Sequence, residues 1–391
     1  MTTALIYDPI FLEHKTPARH PERPLRVEMA YKFIEALGWL NREGLVQLAP
    51  RAATLDELAA VHDLEYIQEV ATASQRAAQQ EVASGRQTLF FATDTYVSAK
   101  TYEAAIKAAG APLTAIDALM KGEIHNAYCL VRPPGHHALP ETAMGFCLFN
   151  NIAVAARYAL DRYGLERVMI IDYDVHHGNG TQEMFYEDPR VLFFSVHQAP
   201  FYPGTGMSDE RGEGAGLGTT VNVPLPAGCG FETYEPIFRQ FLAPLADRFQ
   251  PQLILVSAGF DAHWKDHESG TKLLAPDMKL STAGFARLNQ IIIDIAKAQC
   301  DGRLILVQEG GYHAEAMASC VATCVNLLLG DDAAVDSLGP PPQMPEYRIN
   351  MDVLIAELRR LHGLTGYRMR NAPKPDRAKL LREMKGPDST T

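Results

Sequence analysis

Cysteine, tryptophan and positive charge are all in short supply in this chain of 391 residues. Its six cysteines, at positions 129, 147, 229, 300, 320 and 324, are too few and too scattered for a disulfide framework. The one close pair, Cys320 and Cys324, has helical spacing and not the CxxC spacing of a redox or zinc motif, so reduced thiols are expected. A net charge of −11 argues against an electrostatic grip on nucleic acid, and favours a basic or cationic small partner instead. Long apolar runs are missing as well: none approaches the ~20 residues of a membrane span. The opening MTTALIYDPI lacks the basic-then-apolar layout of a secretory leader, which points to a soluble, cytoplasmic protein bound to neither membrane nor nucleic acid. No shift in composition marks a mid-chain linker, so the 47% of hydrophobic residues is expected to build one large core.

What the chain does have is a set of short apolar runs that end in reactive side chains. Val168–Ile171 reads as a strand covered on both faces, and DYDVHHGNG follows it. Side chains two apart on a strand share a face, so Asp172, Asp174 and His176 are expected to line one side of its end. Two carboxylates and an imidazole packed together are costly unless paired or bound to a cation, which favours a metal site over a hydrogen-bonded loop end. Ala127–Val131 is a second strand, running into RPPGHHA with the tandem pair His136 and His137, which titrate near neutral pH. Leu253–Ser257 leads to Asp261, and Leu304–Val307 leads through QEGG to Tyr312.

Helical patterns separate these strands, at Val27–Leu40, Leu55–Ala60, Tyr102–Met120, up to Tyr163, Phe231–Phe249 and Gly284–Ala298. The stretch from Ser84 to Ser98, with Phe90, Phe91, Asp94 and Tyr96, reads as irregular loop, and His62 as a structural or surface histidine. Strands and helices in this rhythm imply an α/β fold: a single-domain open parallel sheet flanked by helices, with the active site at the C-terminal strand ends. Residues 1–338 are expected to form the catalytic unit, and 339–391 an appendage, helical and then flexible.

The stretches HPERPLR, VRPPGHHA, GFCLFNN, IDYDVHHGNGTQ, FYPGTG, SAGFDAH and QEGGYH resemble, in order, those of the zinc-dependent histone deacetylase family. That family has the arginase-deacetylase fold and includes bacterial deacetylases and acetylpolyamine amidohydrolases; the class II branch is the nearest in style. The resemblance implies that Asp174, His176 and Asp261 hold one catalytic zinc ion, with a structural potassium ion as a further family feature. It makes His137 the general base and then acid, His136 a support for charge at the bound water, Asp172 the orienting partner of His136, and Tyr312 the donor to the oxyanion. Asn179 falls behind His137, where the family has aspartate or asparagine. Gly145, Phe146 and Tyr202 match the walls of a narrow acyl-lysine channel, Asp94 a rim residue that grips substrate backbone, and Arg23 an arginine near an internal acetate exit.

The loop after Asp261 is longer than the family's usual one, and His267 replaces the usual proline after Asp266. In one register Glu268 stands where a polyamine-preferring relative carries a gatekeeper glutamate; in another, Leu273 or Leu274 does. The implied activity is zinc-water hydrolysis of acetyl groups from lysine side chains or related amines, with acetylpolyamine hydrolysis as the alternative. A ureohydrolase of this fold needs two manganese ions and more carboxylates than these motifs supply, and an idle acyl-lysine binder would not need Tyr312 with both histidines. The expected partner is an acylated lysine peptide or an acetylated polyamine, and a homo-oligomer is compatible with the sequence.

Overall fold

The computed structural model describes residues 1–268, 275–342 and 347–370, the side chain of Glu268 excepted. Its strands are β1 (Thr3–Ile6), β2 (Leu45–Leu48), β3 (Thr88–Ala92), β4 (Thr95–Ser98), β5 (Asn126–Cys129), β6 (Val168–Asp172), β7 (Val191–Gln198), β8 (Thr220–Leu225), β9 (Leu253–Ala258) and β10 (Leu304–Gln308). All but β3 and β4 join in one 8-stranded sheet of order β2-β1-β5-β10-β9-β6-β7-β8, parallel throughout. The central strands β5, β10, β9 and β6 are buried along their whole length, as near-continuous apolar runs require. Helices cover them: Leu25–Ala36 packs on Ala314–Leu328 and that on Thr282–Cys300, while Thr101–Met120 packs on Asn151–Tyr163.

Strand order creates the place for a site. From β5 the chain crosses to β6, runs outward to β8, and returns to lay β9 and β10 in between. The loops leaving β5, β10, β9 and β6 therefore stand side by side at one edge, where open parallel sheets bind ligands. Register keeps the strand ends level: Asp172 pairs with Ser257, and Gln308 with Ala258. The six cysteines are free and buried.

Several expectations are revised. The stretch read as irregular between Ser84 and Ser98 holds the antiparallel hairpin β3–β4, turning at Thr93 and Asp94. β3 is only half-buried, and β4 buries Thr95, Val97 and Ser98 without an apolar period, so no apolar alternation announced them. The helix expected over Val27–Leu40 runs from Leu25 to Ala36 and stops before Gly38, which has φ 72° and ends it cheaply. Phe231–Phe249 is helical throughout but widens into a π turn over Phe238–Leu242, next to Pro244, which has no N–H to give the regular ladder. His62 is structural: its buried ring lies 3.0 Å from Leu139 O through Nδ1 and accepts Asn150 N–H at 2.9 Å through Nε2.

Beyond Gly339, the helix Met351–Leu361 buries Ile355 and Leu358 and packs against the Phe231–Phe249 helix. Arg211 and Arg248 donate to the carbonyls of Leu361 and His362, and Arg359 to that of Gln240. The end of this appendage, 371–391, lies outside the described residues.

Candidate active site

Strand β6 ends at Asp172, so strand alternation does not extend to Asp174 and His176 as the sequence suggested. A chain of local hydrogen bonds shapes the segment instead: Asp174 N–H donates to Asp172 Oδ1 at 3.1 Å, and His176 N–H to Asp174 Oδ1 at 2.9 Å. Asp172 turns away from the cluster, its Oδ2 3.0 Å from His136 Nδ1. Asp174, His176 and Asp261 remain, with ligand atoms all within 4.8 Å of one another; among the described residues this is the one group of three such side chains placed to hold a metal ion.

The donor set fits a zinc ion. One oxygen of each carboxylate is fixed by backbone from another strand end, Asp174 Oδ2 by Gly310 N–H at 2.9 Å and Asp261 Oδ1 by Val175 N–H at 2.9 Å. The others face His176, whose Nδ1 lies 3.0 Å from Asp174 Oδ1 and 3.1 Å from Asp261 Oδ2. Asp261 Oδ2 is buried and receives no hydrogen bond, an orphan that a cation would satisfy. Glycine makes the approach possible: a Cβ at Gly259 would come within 1.9 Å of Asp174 Oδ2, and one at Gly310 within 2.2 Å of Asp261 Oδ2.

The tandem histidines lie beside this cluster, ring centroids 4.0 Å apart. Glu309, which follows β10, fixes their loop: its Oε2 accepts Gly135 N–H at 2.6 Å and His136 N–H at 3.2 Å, and its Oε1 accepts the Ser257 hydroxyl at 3.2 Å. The second ring of the pair, His137, has Nδ1 2.8 Å from Asn179 Oδ1, at the start of the helix Asn179–Phe185. Tyr312 lies edge-on to Phe146 at 5.8 Å, with the Arg26 guanidinium 4.8 Å from its ring centre.

The arginine at this place is thus Arg26 and not Arg23. Arg23 is exposed in the loop before the first helix, whereas Arg26 occupies its inward face. Arg26 Nε donates to Gly311 O at 2.6 Å. Arg132 of the RPPGHHA motif is also buried, and clamps Glu22 through Nε and Nη2 at 2.5 and 2.8 Å. Sequence reading passed over Arg26, Arg132, Glu22 and Glu309; their one signal was charge inside motifs that flank strand ends.

The residues expected to wall a channel also converge. Gly145 and Phe146, with φ 56° and 68°, make the turn between Met144 and Cys147. A Cβ at Gly145 would fall 2.2 Å from His137 Cδ2, so the turn can approach the imidazole only with glycine there. Tyr202 meets His137 edge-on at 5.1 Å, and Phe201, missed from sequence, stacks on His176 at 5.2 Å. Asp94, at the hairpin turn, accepts Gly145 N–H at 3.0 Å, so its carboxylate braces the Gly145–Phe146 turn. The Glu268 side chain, Leu273 and Leu274 lie outside the described residues.

Burial dominates the electrostatics, and opposite charges answer it. Burial would lower His136, yet Asp172 and Asp174 push it up to about 10, so it carries a proton at neutral pH. His137, buried and next to the charge on His136, is held well below the usual histidine range and is neutral. Burial would also lower His176, which Asp174 and Asp261 raise to about 10, while His136 and His176 outweigh burial to hold Asp174 below the carboxylate range. A metal ion bound here would displace the proton that His176 carries. Burial lifts Glu309 to about 7.

Comparison with known proteins identifies the family. The Histone deacetylase domain family matches residues 20–328. The chain is 40% identical over 336 residues to histone deacetylase 10, chloroplastic, of Oryza sativa subsp. japonica, covering 84% of this chain and 73% of that one. It is 38% identical to a probable deacetylase of Archaeoglobus fulgidus, covering 81% and 82% of the two chains. It is 39% identical to polyamine deacetylase HDAC10 of Homo sapiens, covering 85% of this chain but 49% of the human one. The crystal structure of the HDA15 HD domain superposes with a TM-score of 0.79 at 33% identity, covering 92% and 94% of the two chains. By its sequence, its sheet and its site, the chain belongs to the histone deacetylase family and is a deacetylase, a hydrolase acting on amide bonds.

Proposed function

We propose that this deacetylase removes acetyl or related acyl groups from lysine side chains or similar amines, with Asp174, His176 and Asp261 holding one zinc ion. The convergence of these three ligand atoms within 4.8 Å carries the reading. Bound there, zinc would polarise the acyl carbonyl and acidify a water molecule. The chain's own residues do the rest. His137, whose Nδ1–H donates to Asn179 Oδ1, keeps a lone pair on Nε2; it takes a proton from the attacking water and returns it to the departing amine. His136, held by Asp172, supports the charge that builds at the same water. Tyr312 donates its phenol O–H to the oxyanion that forms as the amide carbon becomes tetrahedral. Phe146 and Tyr202 flank the acyl-bearing chain and keep bulk water away, and Gly145 lets that wall approach His137. The family's structural potassium ion and a cytoplasmic setting belong to the same proposal and take no part in these steps.

Acetylpolyamine hydrolysis is the second reading, supported by 39% identity to a human protein named a polyamine deacetylase. In it, Glu268 attracts a substrate cation at the channel mouth. The test is kcat/KM for acetylputrescine and for an acetyl-lysine peptide, on zinc-loaded wild type and Glu268→Leu. A peptide preference that Glu268→Leu leaves unchanged supports the first reading. A polyamine preference that the substitution cuts by one order of magnitude or more supports the second. Absence of amide hydrolysis on either substrate would contradict both.

A further inference from the structure

Tyr312 lies on the short segment between β10 and the helix Ala314–Leu328, and side chains from distant parts of the chain grip the backbone of that segment. Gly310 N–H donates to Asp174 Oδ2 at 2.9 Å, and Gly311 O accepts Arg26 Nε at 2.6 Å. The next two amides share one acceptor: Tyr312 N–H and His313 N–H donate to Asp266 Oδ2, at 2.8 and 3.0 Å. Asp266 is 0% exposed, a burial that a carboxylate tolerates only when its charge is answered. Two charge-assisted hydrogen bonds at the entry of a 15-residue helix answer it, and the helix N-terminus favours the anion.

The phenol ring, by contrast, has soft neighbours: an aromatic edge at 5.8 Å and a guanidinium face at 4.8 Å. Neither fixes the direction of the Cα–Cβ bond, which follows from the backbone that Asp266 holds. Oxyanion donors act only when aimed before the reaction, and a displacement of about 1 Å can cost two orders of magnitude. We propose that Asp266 is the positioning residue of Tyr312, aiming its hydroxyl at the oxyanion through the paired amides of Tyr312 and His313. Asp266 follows Asp261 on a single loop, so that loop supplies both a metal ligand and the anchor of the oxyanion donor. The inference rests on the role proposed above for Tyr312.

The test is a double-mutant cycle on zinc-loaded enzyme: wild type, Asp266→Ala, Tyr312→Phe and the double variant, with zinc content, thermal midpoint, kcat and KM measured for each. Tyr312→Phe should lower kcat about a hundredfold with zinc retained, and Asp266→Ala should lower kcat at least about tenfold at a KM within about twofold. In the Tyr312→Phe background, Asp266→Ala should cost less than about twofold, since the group it aims is gone. Asp266→Asn, which keeps an acceptor oxygen without the charge, should fall between Asp266→Ala and wild type; if Asp266→Ala does not fold, the cycle is run with Asp266→Asn. An equal loss in both backgrounds would mean that Asp266 supports the fold and does not act through Tyr312, and would overturn the inference alone. Near-normal turnover of Tyr312→Phe would overturn the role of Tyr312, and this inference with it.

Discussion

His137 Nδ1 lies 2.8 Å from Asn179 Oδ1, so a neutral carboxamide, and not a carboxylate, stands behind the imidazole placed to move protons. The carboxamide oxygen can accept only from a protonated Nδ1, which fixes the tautomer that leaves Nε2 basic. Asn179→Leu should therefore lower kcat by about ten- to a hundredfold while zinc content stays at the wild-type level, because the base loses its orientation but not its chemistry. Asn179→Asp, which preserves the acceptor, should retain most of the activity. Turnover of Asn179→Leu within twofold of wild type would show that the ring is oriented by other contacts.

Behind the site, Glu22 is the one carboxylate shared by two buried arginines among the described residues, Arg132 and Arg26. Burial would raise Glu22, but Arg132, His14 and Arg26 hold it down at about 2. Glu22→Ala leaves both guanidinium groups without their counter-charge in a dry place, and should destabilise the fold by about 3–5 kcal/mol in denaturant titration. A loss below about 1 kcal/mol would mean that water or another carboxylate reaches the arginines.

His62 gives a pH prediction away from the metal ligands. Burial lowers it from an ordinary 6.5 to about 4, and the ring is held as a neutral donor and acceptor by Leu139 O and Asn150 N–H. With the folded value below the unfolded one, its contribution is complete above pH 6.5 and is lost as pH falls toward 4, a change of about 3 kcal/mol at most. Wild type should lose thermal stability across that window more steeply than His62→Gln, whose amide does not titrate. Parallel stability curves for the two proteins between pH 7 and 4 would contradict this.

Much of this site is written in short-range pattern. His136, His137, Asp174, His176, Asp261 and Tyr312 each follow a buried apolar strand within a few residues, and a parallel sheet brings such ends together whatever lies between them. Pairings across long stretches of chain left no such mark. Glu22 and Arg132 are 110 residues apart, and Asp266 and Tyr312 are 46 apart; Glu22, Arg132 and Asp266 each read alone as an ordinary surface charge. Nothing in HPERPLR says which arginine faces inward until the helix from Leu25 sets its rotation and buries Arg26. The β3–β4 hairpin escaped because its short strands carry no apolar alternation, although Asp94 at its turn holds Gly145 N–H.

Metal stoichiometry tests the central claim most directly. Zinc content and deacetylation rate should be measured together on wild type and on Asp174→Ala, His176→Ala and Asp261→Ala, each purified and loaded alike. The account predicts one zinc per chain in wild type, and loss of zinc and activity together in each variant. Full zinc occupancy in all three variants would contradict it.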